Sequence, residues 1–240
     1  MTGRRKSGRS AAVVASTVVL ALGGSIAAQT QPPRQAARPA PRAGTWEVGG
    51  GGAFVGGYDL GDRPANLSPN LSGGSNPFLL FDTSSDIGVA PGLQARLGFF
   101  VSRSLLVEGG LRYAKPELTI RATGDTEGAV PVSAVSEVSQ YLVDGSAVWH
   151  FHNASFAGGR GVPFVVGGAG YLRELHEGNE LIETGVEYHA GGGLKYWFGS
   201  APRRFGLRGE AALSIRDGGI DFEEGRRTVP VASVTLVYIF

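Results

Sequence analysis

The sequence has no cysteine, one methionine and three lysines in 240 residues. The missing thiols exclude a disulfide scaffold, Cys-bound zinc, iron–sulfur clusters, a thiol nucleophile and the lipid-modified Cys of a bacterial lipoprotein. Charge is sparse at 18%, and the formal net charge of +1 gives no reason to expect a nucleic-acid partner. No strict Gly-X-Y period exists, which excludes collagen. From Thr45 onward no convincing 3.6-residue period appears either, so long amphipathic helices are not expected. What the chain does have is glycine, 39 of 240 residues, with 42% hydrophobic residues and 9% aromatics. That aromatic content argues against a disordered Gly-rich polymer. A mean hydropathy of +0.01 fits many strands that pack or bend closely.

The first segment stands apart from the rest. Met1–Ser10 carries Arg4, Arg5, Lys6 and Arg9 with no acid, and Ala11–Ile26 is uncharged and apolar. Ser25, Ala27 and Ala28 then supply small side chains. This is the order of a cleaved secretory signal peptide, predicted over residues 1–27. The alternative is an uncleaved anchor, since Ala11–Ala28 is about long enough to span a bilayer. Residues 28–44 hold four prolines and Arg34, Arg38 and Arg42, a composition that predicts an extended, disordered tether. Seven of the 22 bases and none of the 21 acids precede Thr45, so residues 45–240 carry 15 bases against 21 acids, a net of −6.

The body alternates with period two. Eight stretches are predicted as strands: Trp46–Tyr58, Val89–Val101, Leu105–Lys115, Glu137–Phe151, Val162–Arg173, Thr184–Phe198, Phe205–Arg216 and Thr228–Phe240. One face is apolar or aromatic. The other collects Glu47, Gln94, Arg96, Glu108, Arg112, Asp144, His150, Glu187, His189, Lys195, Arg208, Glu210 and Arg216. The fifth stretch has no readable parity, because both faces are apolar or Gly. Alternation alone does not separate a soluble sandwich from a barrel that turns its apolar face to lipid and its polar face to a lumen.

Three further patterns do. Connections alternate between short (Val101–Ser104, Asn153–Gly161, Gly199–Arg204) and long (Asp59–Gly88, Pro116–Ser136, Glu174–Glu183, Asp217–Arg227). The short ones contain Arg103, Arg160, Arg203 and Arg204 and no acid, whereas sixteen of the 21 acids lie in or beside the long ones. Aromatics gather near the short-turn end (Trp46, Phe99, Trp149, Phe151, Tyr196, Phe198, Phe205, Tyr238, Phe240), and Tyr58, Tyr113, Tyr141, Tyr171 and Tyr188 gather toward the other. Short turns on one side, long loops on the other and two aromatic girdles predict an all-β, eight-stranded antiparallel transmembrane β-barrel. Closure is required, because an open sheet edge in hydrocarbon leaves backbone groups unsatisfied.

The chain ends Val234-Thr-Leu236-Val-Tyr238-Ile-Phe240. This alternation resembles the C-terminal signature by which bacterial outer-membrane barrels are recognised by their assembly machinery. Leu97–Gly110 is similar to the first periplasmic hairpin of the porin-like, OmpA-type small barrels, and Val165–Leu172 resembles their fifth strand. The resemblance spans Thr45–Phe240. It implies short periplasmic turns, long extracellular loops, a bacterial outer-membrane location, surrounding lipid and lipopolysaccharide, and contact with the assembly machinery during biogenesis. It implies no cofactor and a monomer. No peptidoglycan-binding domain follows the barrel, so no cell-wall anchoring role is implied.

The polar face supports two readings: ion pairs that fill the lumen, or a gated path for ions or small solutes. An eight-stranded barrel is just wide enough for side chains to fill, and enclosed charges must pair to offset desolvation. His150-Phe-His152-Asn-Ala-Ser155 resembles the His-x-Ser region of lipid A deacylase barrels. Its spacing differs, it sits at the short-turn end, and no orienting acid is near in sequence. His176-Glu177-Gly-Asn-Glu180 lacks the second histidine of a zincin. Gly49–Gly52 and Gly167–Gly170 precede no helix and are not phosphate loops. The acidic rim serves solubility or, alternatively, holds divalent cations that bridge to anionic lipopolysaccharide. The long Asp59–Gly88 connection is the segment best suited to an outside partner. The expected function is structural or interactive at the cell surface, with a narrow porin as the alternative and a lipid hydrolase third.

Overall fold

Period-two alternation is realised as long antiparallel strands whose outward face is apolar and whose inward face is polar. The structure is a computed structural model, and it describes residues 41–67, 78–125, 128–176, 181–199, 203–220 and 225–240. Residues 1–40, and with them the predicted signal sequence and most of the predicted tether, lie outside the described residues.

Twelve strands follow in order: β1 Trp46–Val55, β2 Tyr58–Leu67, β3 Phe78–Ile87, β4 Ala90–Phe100, β5 Leu105–Ala114, β6 Glu117–Thr123, β7 Val132–Glu137, β8 Ser139–His150, β9 Gly161–His176, β10 Leu181–Trp197, β11 Phe205–Gly218 and β12 Arg227–Ile239. Eight of them close a barrel in the order β1-β4-β5-β8-β9-β10-β11-β12, with β12 pairing back onto β1. All pairs are antiparallel. The eight predicted stretches are these eight strands. The fifth now has a parity: Val162, Phe164, Val166 and Leu172 are buried, while Val165 and Tyr171 are exposed.

The outer face is a belt of exposed apolar side chains, among them Leu97, Leu111, Val143, Leu213 and Leu236. An aromatic ring bounds it at the short-turn end, with Trp46 against Phe99 at 5.1 Å and Phe205 against Tyr238 at 4.7 Å between ring centroids. At the other end Tyr113 and Tyr141 meet at 4.9 Å. Glycine is demanded where the curved wall brings ladders together. A Cβ on Gly193 would collide with the Gly209 carbonyl oxygen, and one on Gly51 with that of Val234.

Among the described residues the two longest predicted loops are largely strands. β2, β3, β6 and β7 form a second, four-stranded sheet in the order β2-β3-β6-β7. Each extends a barrel strand past the rim: β1 into β2 through Gly56-Gly57, and β5 into β6 through Lys115-Pro116. Backbone bonds at the seam tie the levels together, Gly88 N–H to the Glu117 oxygen at 2.8 Å and Val138 N–H to the Pro116 oxygen at 2.9 Å. These strands escape a period-two reading because only their barrel-side ends are buried, at Leu60, Ile87 and Leu118, and the rest meets water. β7 is exposed at all of its positions but one.

Candidate functional site

Among the described residues the lumen concentrates the polar and charged side chains. Each predicted lumen residue is carried inward by strand parity, and all are buried apart from Arg96 and His189, which are half-buried. Near the short-turn end Lys195 of β10 donates to Glu47 of β1 at 2.5 Å. At mid-height Arg208 of β11 donates to both Glu108 oxygens, at 2.7 and 2.9 Å, and through Nε to Glu210 at 2.9 Å. Arg96 of β4 completes this layer, 2.8 Å from Glu108, 3.6 Å from Glu210 and 3.7 Å from Asp144. Above it Glu187 of β10 accepts from Arg112 at 2.6 Å, Ser214 at 2.9 Å and Arg216 at 2.9 Å. Gln94 of β4 lines the space between these layers. Five carboxylates (Glu47, Glu108, Asp144, Glu187, Glu210) thus face five cations (Arg96, Arg112, Lys195, Arg208, Arg216). Each charge gains the partner it needs to offset loss of water.

Apolar clusters lie at both ends of this column. Phe100, Leu106, Val148, Phe164 and Val166 pack at the short-turn end, with Val162, Trp197 and Val237 beside them. Leu60, Ile87, Leu118, Val138 and Ile220 pack under the second sheet at the other. Between them the cavity among Gln94, Arg96, Asp144, His189 and Glu210 measures about 10 Å³, roughly one water.

Three lumen-mouth residues escaped the sequence reading. Tyr58 was expected on the outer girdle, but the chain turns at Gly56-Gly57 and the phenol enters the mouth. There it donates to Glu174 at 3.2 Å and accepts from Arg216 at 3.2 Å. Glu174 was expected on the acidic rim but is fully buried, accepting from Gln140 at 2.6 Å and the Ile220 N–H at 2.7 Å. Its parity was unreadable because β9 is Gly-rich. Gln140 was findable, since it shares even parity with Asp144 and Ser146 on β8. Tyr58 stands in β2, beyond the barrel strands. Burial, reinforced by the Glu174 carboxylate, pushes its phenol from the ordinary 10.0 up to about 12.

Other motifs resolve plainly. His150 lies between Phe100 and Phe164 and its Nδ1 meets the Ser104 oxygen at 3.3 Å, while His152 Nε2 meets the Arg103 oxygen at 2.7 Å. Neither engages the Ser155 side chain. A different serine, Ser146, lies 2.9 Å from both His189 Nε2 and Asp144 Oδ2. The acid there holds the serine rather than orienting the histidine through Nδ1, so the order of a nucleophilic triad is not met. His176 ends β9, and residues 177–180 lie outside the described residues. Among the described residues no three His, Asp or Glu side chains group to hold a metal ion. The C-terminal residues Val234, Leu236 and Phe240 face outward and exposed, with Tyr238 half-buried against Phe205.

No protein-family model matches the chain, and no curated protein matches it. Solved structures do. Neisserial surface protein A superposes with a TM-score of 0.53 at 13% identity, over 82% of this chain and 99% of that one. The outer membrane protein OprG from Pseudomonas aeruginosa follows at 0.49 and 12%, over 83% and 97%. Outer membrane protein AlkL, solved by solid-state NMR in DMPC bilayers, follows at 0.39 and 20%, over 89% and 97%. The class is therefore set: the chain has the fold of the small eight-stranded outer-membrane β-barrels. The resemblance drawn from Leu97–Gly110, Val165–Leu172 and the terminal alternation is met at the level of fold.

Proposed function

We propose that this protein is a non-conducting outer-membrane barrel that holds the β2-β3-β6-β7 sheet at the cell surface, with a structural or surface-interaction role. The carrying observation is the lumen lining: five acids paired with five bases, a cavity of only about 10 Å³ beside Gln94, Arg96 and Glu210 and an apolar cluster toward each end. A barrel so packed offers its outside, not its inside. In this reading residues 1–27 direct export and are removed. Val234, Leu236, Tyr238 and Phe240 are read by the assembly machinery, and the monomeric barrel sits among phospholipid and lipopolysaccharide. The short turns face the periplasm and the second sheet faces outward.

Outer-membrane fractionation with heat-modifiable gel migration, followed by planar-bilayer recording of the refolded protein, tests the reading. A heat-modifiable, outer-membrane, electrically silent protein is expected. Reproducible open-channel steps in the wild type would overturn it in favour of the narrow porin. A soluble, heat-insensitive protein would overturn the membrane reading altogether.

A further inference from the structure

The short-turn rim carries a charge pattern that the lumen does not use. Arg42 precedes β1, Arg103 lies in the β4–β5 turn, Arg160 in the β8–β9 turn, and Arg203 and Arg204 in the β10–β11 turn. The three turns contain no Asp or Glu. The nearest carboxylate of β1, Glu47, points inward and is held by Lys195. Arg42, Arg103 and Arg204 are exposed, while Arg160 and Arg203 are half-buried.

The rim is also built. The segment before β1 is fixed to the β4 end by Gly44 N–H to the Phe100 oxygen at 2.8 Å. His152 ties the β8–β9 turn to the Arg103 carbonyl. Arg203 reaches from the β10–β11 turn to the Gly158 oxygen at 3.5 Å. Arg204 lies 3.4 Å from the hydroxyl of Tyr238, an aromatic of the outer girdle. The cations therefore stand directly beyond the ring of Trp46, Phe99, Trp149, Phe151, Phe205 and Phe240, at the level where interfacial aromatics meet lipid headgroups.

We infer that this arginine rim binds the phosphates of anionic phospholipids in the leaflet that surrounds the short turns. The charge is complementary, and guanidinium groups suit phosphate oxygens through paired N–H donors. The distribution decides between partners. A single docked protein needs one contiguous patch, whereas these cations come from four separate segments, as a lipid annulus requires. Assigning the rim to the periplasmic leaflet rests on the orientation given above; the lipid preference itself does not.

The test reconstitutes the full chain into phosphatidylcholine vesicles doped with spin-labelled phosphatidylglycerol or spin-labelled phosphatidylcholine. Electron spin resonance then reads the motionally restricted fraction of each label. The wild type should favour phosphatidylglycerol severalfold at low salt and lose most of the preference in 0.5 M NaCl, where charges more than a few ångströms apart are screened. R103Q, R160Q and R204Q should each weaken the preference by up to about fivefold, the worth of one basic residue at a lipid surface. Heat-modifiable migration of each variant confirms that the barrel is intact.

Equal restriction of both labels in the wild type, or an undiminished preference when R103Q, R160Q and R204Q are combined in one chain, would overturn the inference. Binding to purified cell-wall sacculi without lipid preference would overturn it in favour of a wall partner. Orientation is read separately, because the cysteine-free chain accepts single labels. S133C should react with an impermeant maleimide on intact cells and S155C should not. The reverse result overturns the orientation and leaves the vesicle result standing or falling by itself.

Discussion

Removing Arg208 should be the most damaging single change in the lumen. Its guanidinium makes paired bonds to Glu108 at 2.7 and 2.9 Å and bonds Glu210 through Nε at 2.9 Å. It also stacks over the Phe164 ring, 4.7 Å from the centroid. R208A leaves the five ion-paired carboxylates facing four cations. Stripping one partner from a buried ion pair costs about 3–5 kcal/mol, because the remaining charge is left without water. Arg96 already touches both orphaned carboxylates, at 2.8 and 3.6 Å, and takes up part of the imbalance. The expected loss is therefore at the low end, about 3 kcal/mol. The assay is urea unfolding of the refolded barrel in lipid vesicles, followed by tryptophan fluorescence. Adding E108Q to R208A should recover at least about 1 kcal/mol, as contacting residues couple. An R208A barrel within about 0.5 kcal/mol of wild type, with no recovery from the second substitution, would refute the ion-pair plug. If R208A instead stays folded and conducts, the arginine is a gate rather than a strut.

G193A should destabilise by about 1–3 kcal/mol, the usual cost of overpacking, because its Cβ meets the Gly209 carbonyl and the Phe164 ring; the same urea titration reads it. Tyr58 gives a pH signature. Its folded phenol is raised from 10.0 to about 12, so the stability gained by keeping it neutral is whole below pH 10 and disappears as pH passes 12. The tyrosinate absorbance that Y58F removes should appear above pH 11 in the folded protein; a difference centred at pH 10 contradicts the buried placement. Arg227 donates from Nε to the Asp59 carbonyl at 3.0 Å and from Nη2 to that of Leu60 at 3.1 Å. R227A should speed amide exchange across β2 while leaving β9 and β10 unchanged. Deleting Phe240 should lower the yield of heat-modifiable protein in cells more than in detergent refolding, if the terminal alternation is an assembly signal.

The barrel was legible because its outer face and its lumen impose opposite chemistry on alternate residues. Leu213 and Ile215 stand against Ser214 and Arg216 along β11, and the alternating loop lengths and aromatic girdles separate this division from that of a soluble sandwich. The second sheet was not, since β7 reads Val-Ser-Ala-Val-Ser-Glu with solvent on both faces and nothing to sort its side chains. At the mouth, the Gly56-Gly57 break resets the parity of the chain and turns Tyr58 inward, a change that spacing cannot report. Glu174 has the composition of a rim residue but the environment of a core one. It is distinguished only by what surrounds it: Gln140, Tyr58 and the backbone of Ile220. The lumen pairs themselves cross strands far apart in sequence, such as Arg208 with Glu108, so the residue types were readable and their partners were not.

Every barrel ladder except one joins strands that follow one another around the meander; the exception is β1 with β12, where Glu47 lies opposite Ile239. Glu47 is also the partner of Lys195, three strands away on β10. While β1 and β12 are apart, Lys195 lacks its carboxylate and two strand edges lack their ladders. Sealing the wall and neutralising that ammonium are thus a single event. In the membrane reading proposed above, a half-zipped barrel has no stable place in hydrocarbon, and insertion must end in a shut cylinder.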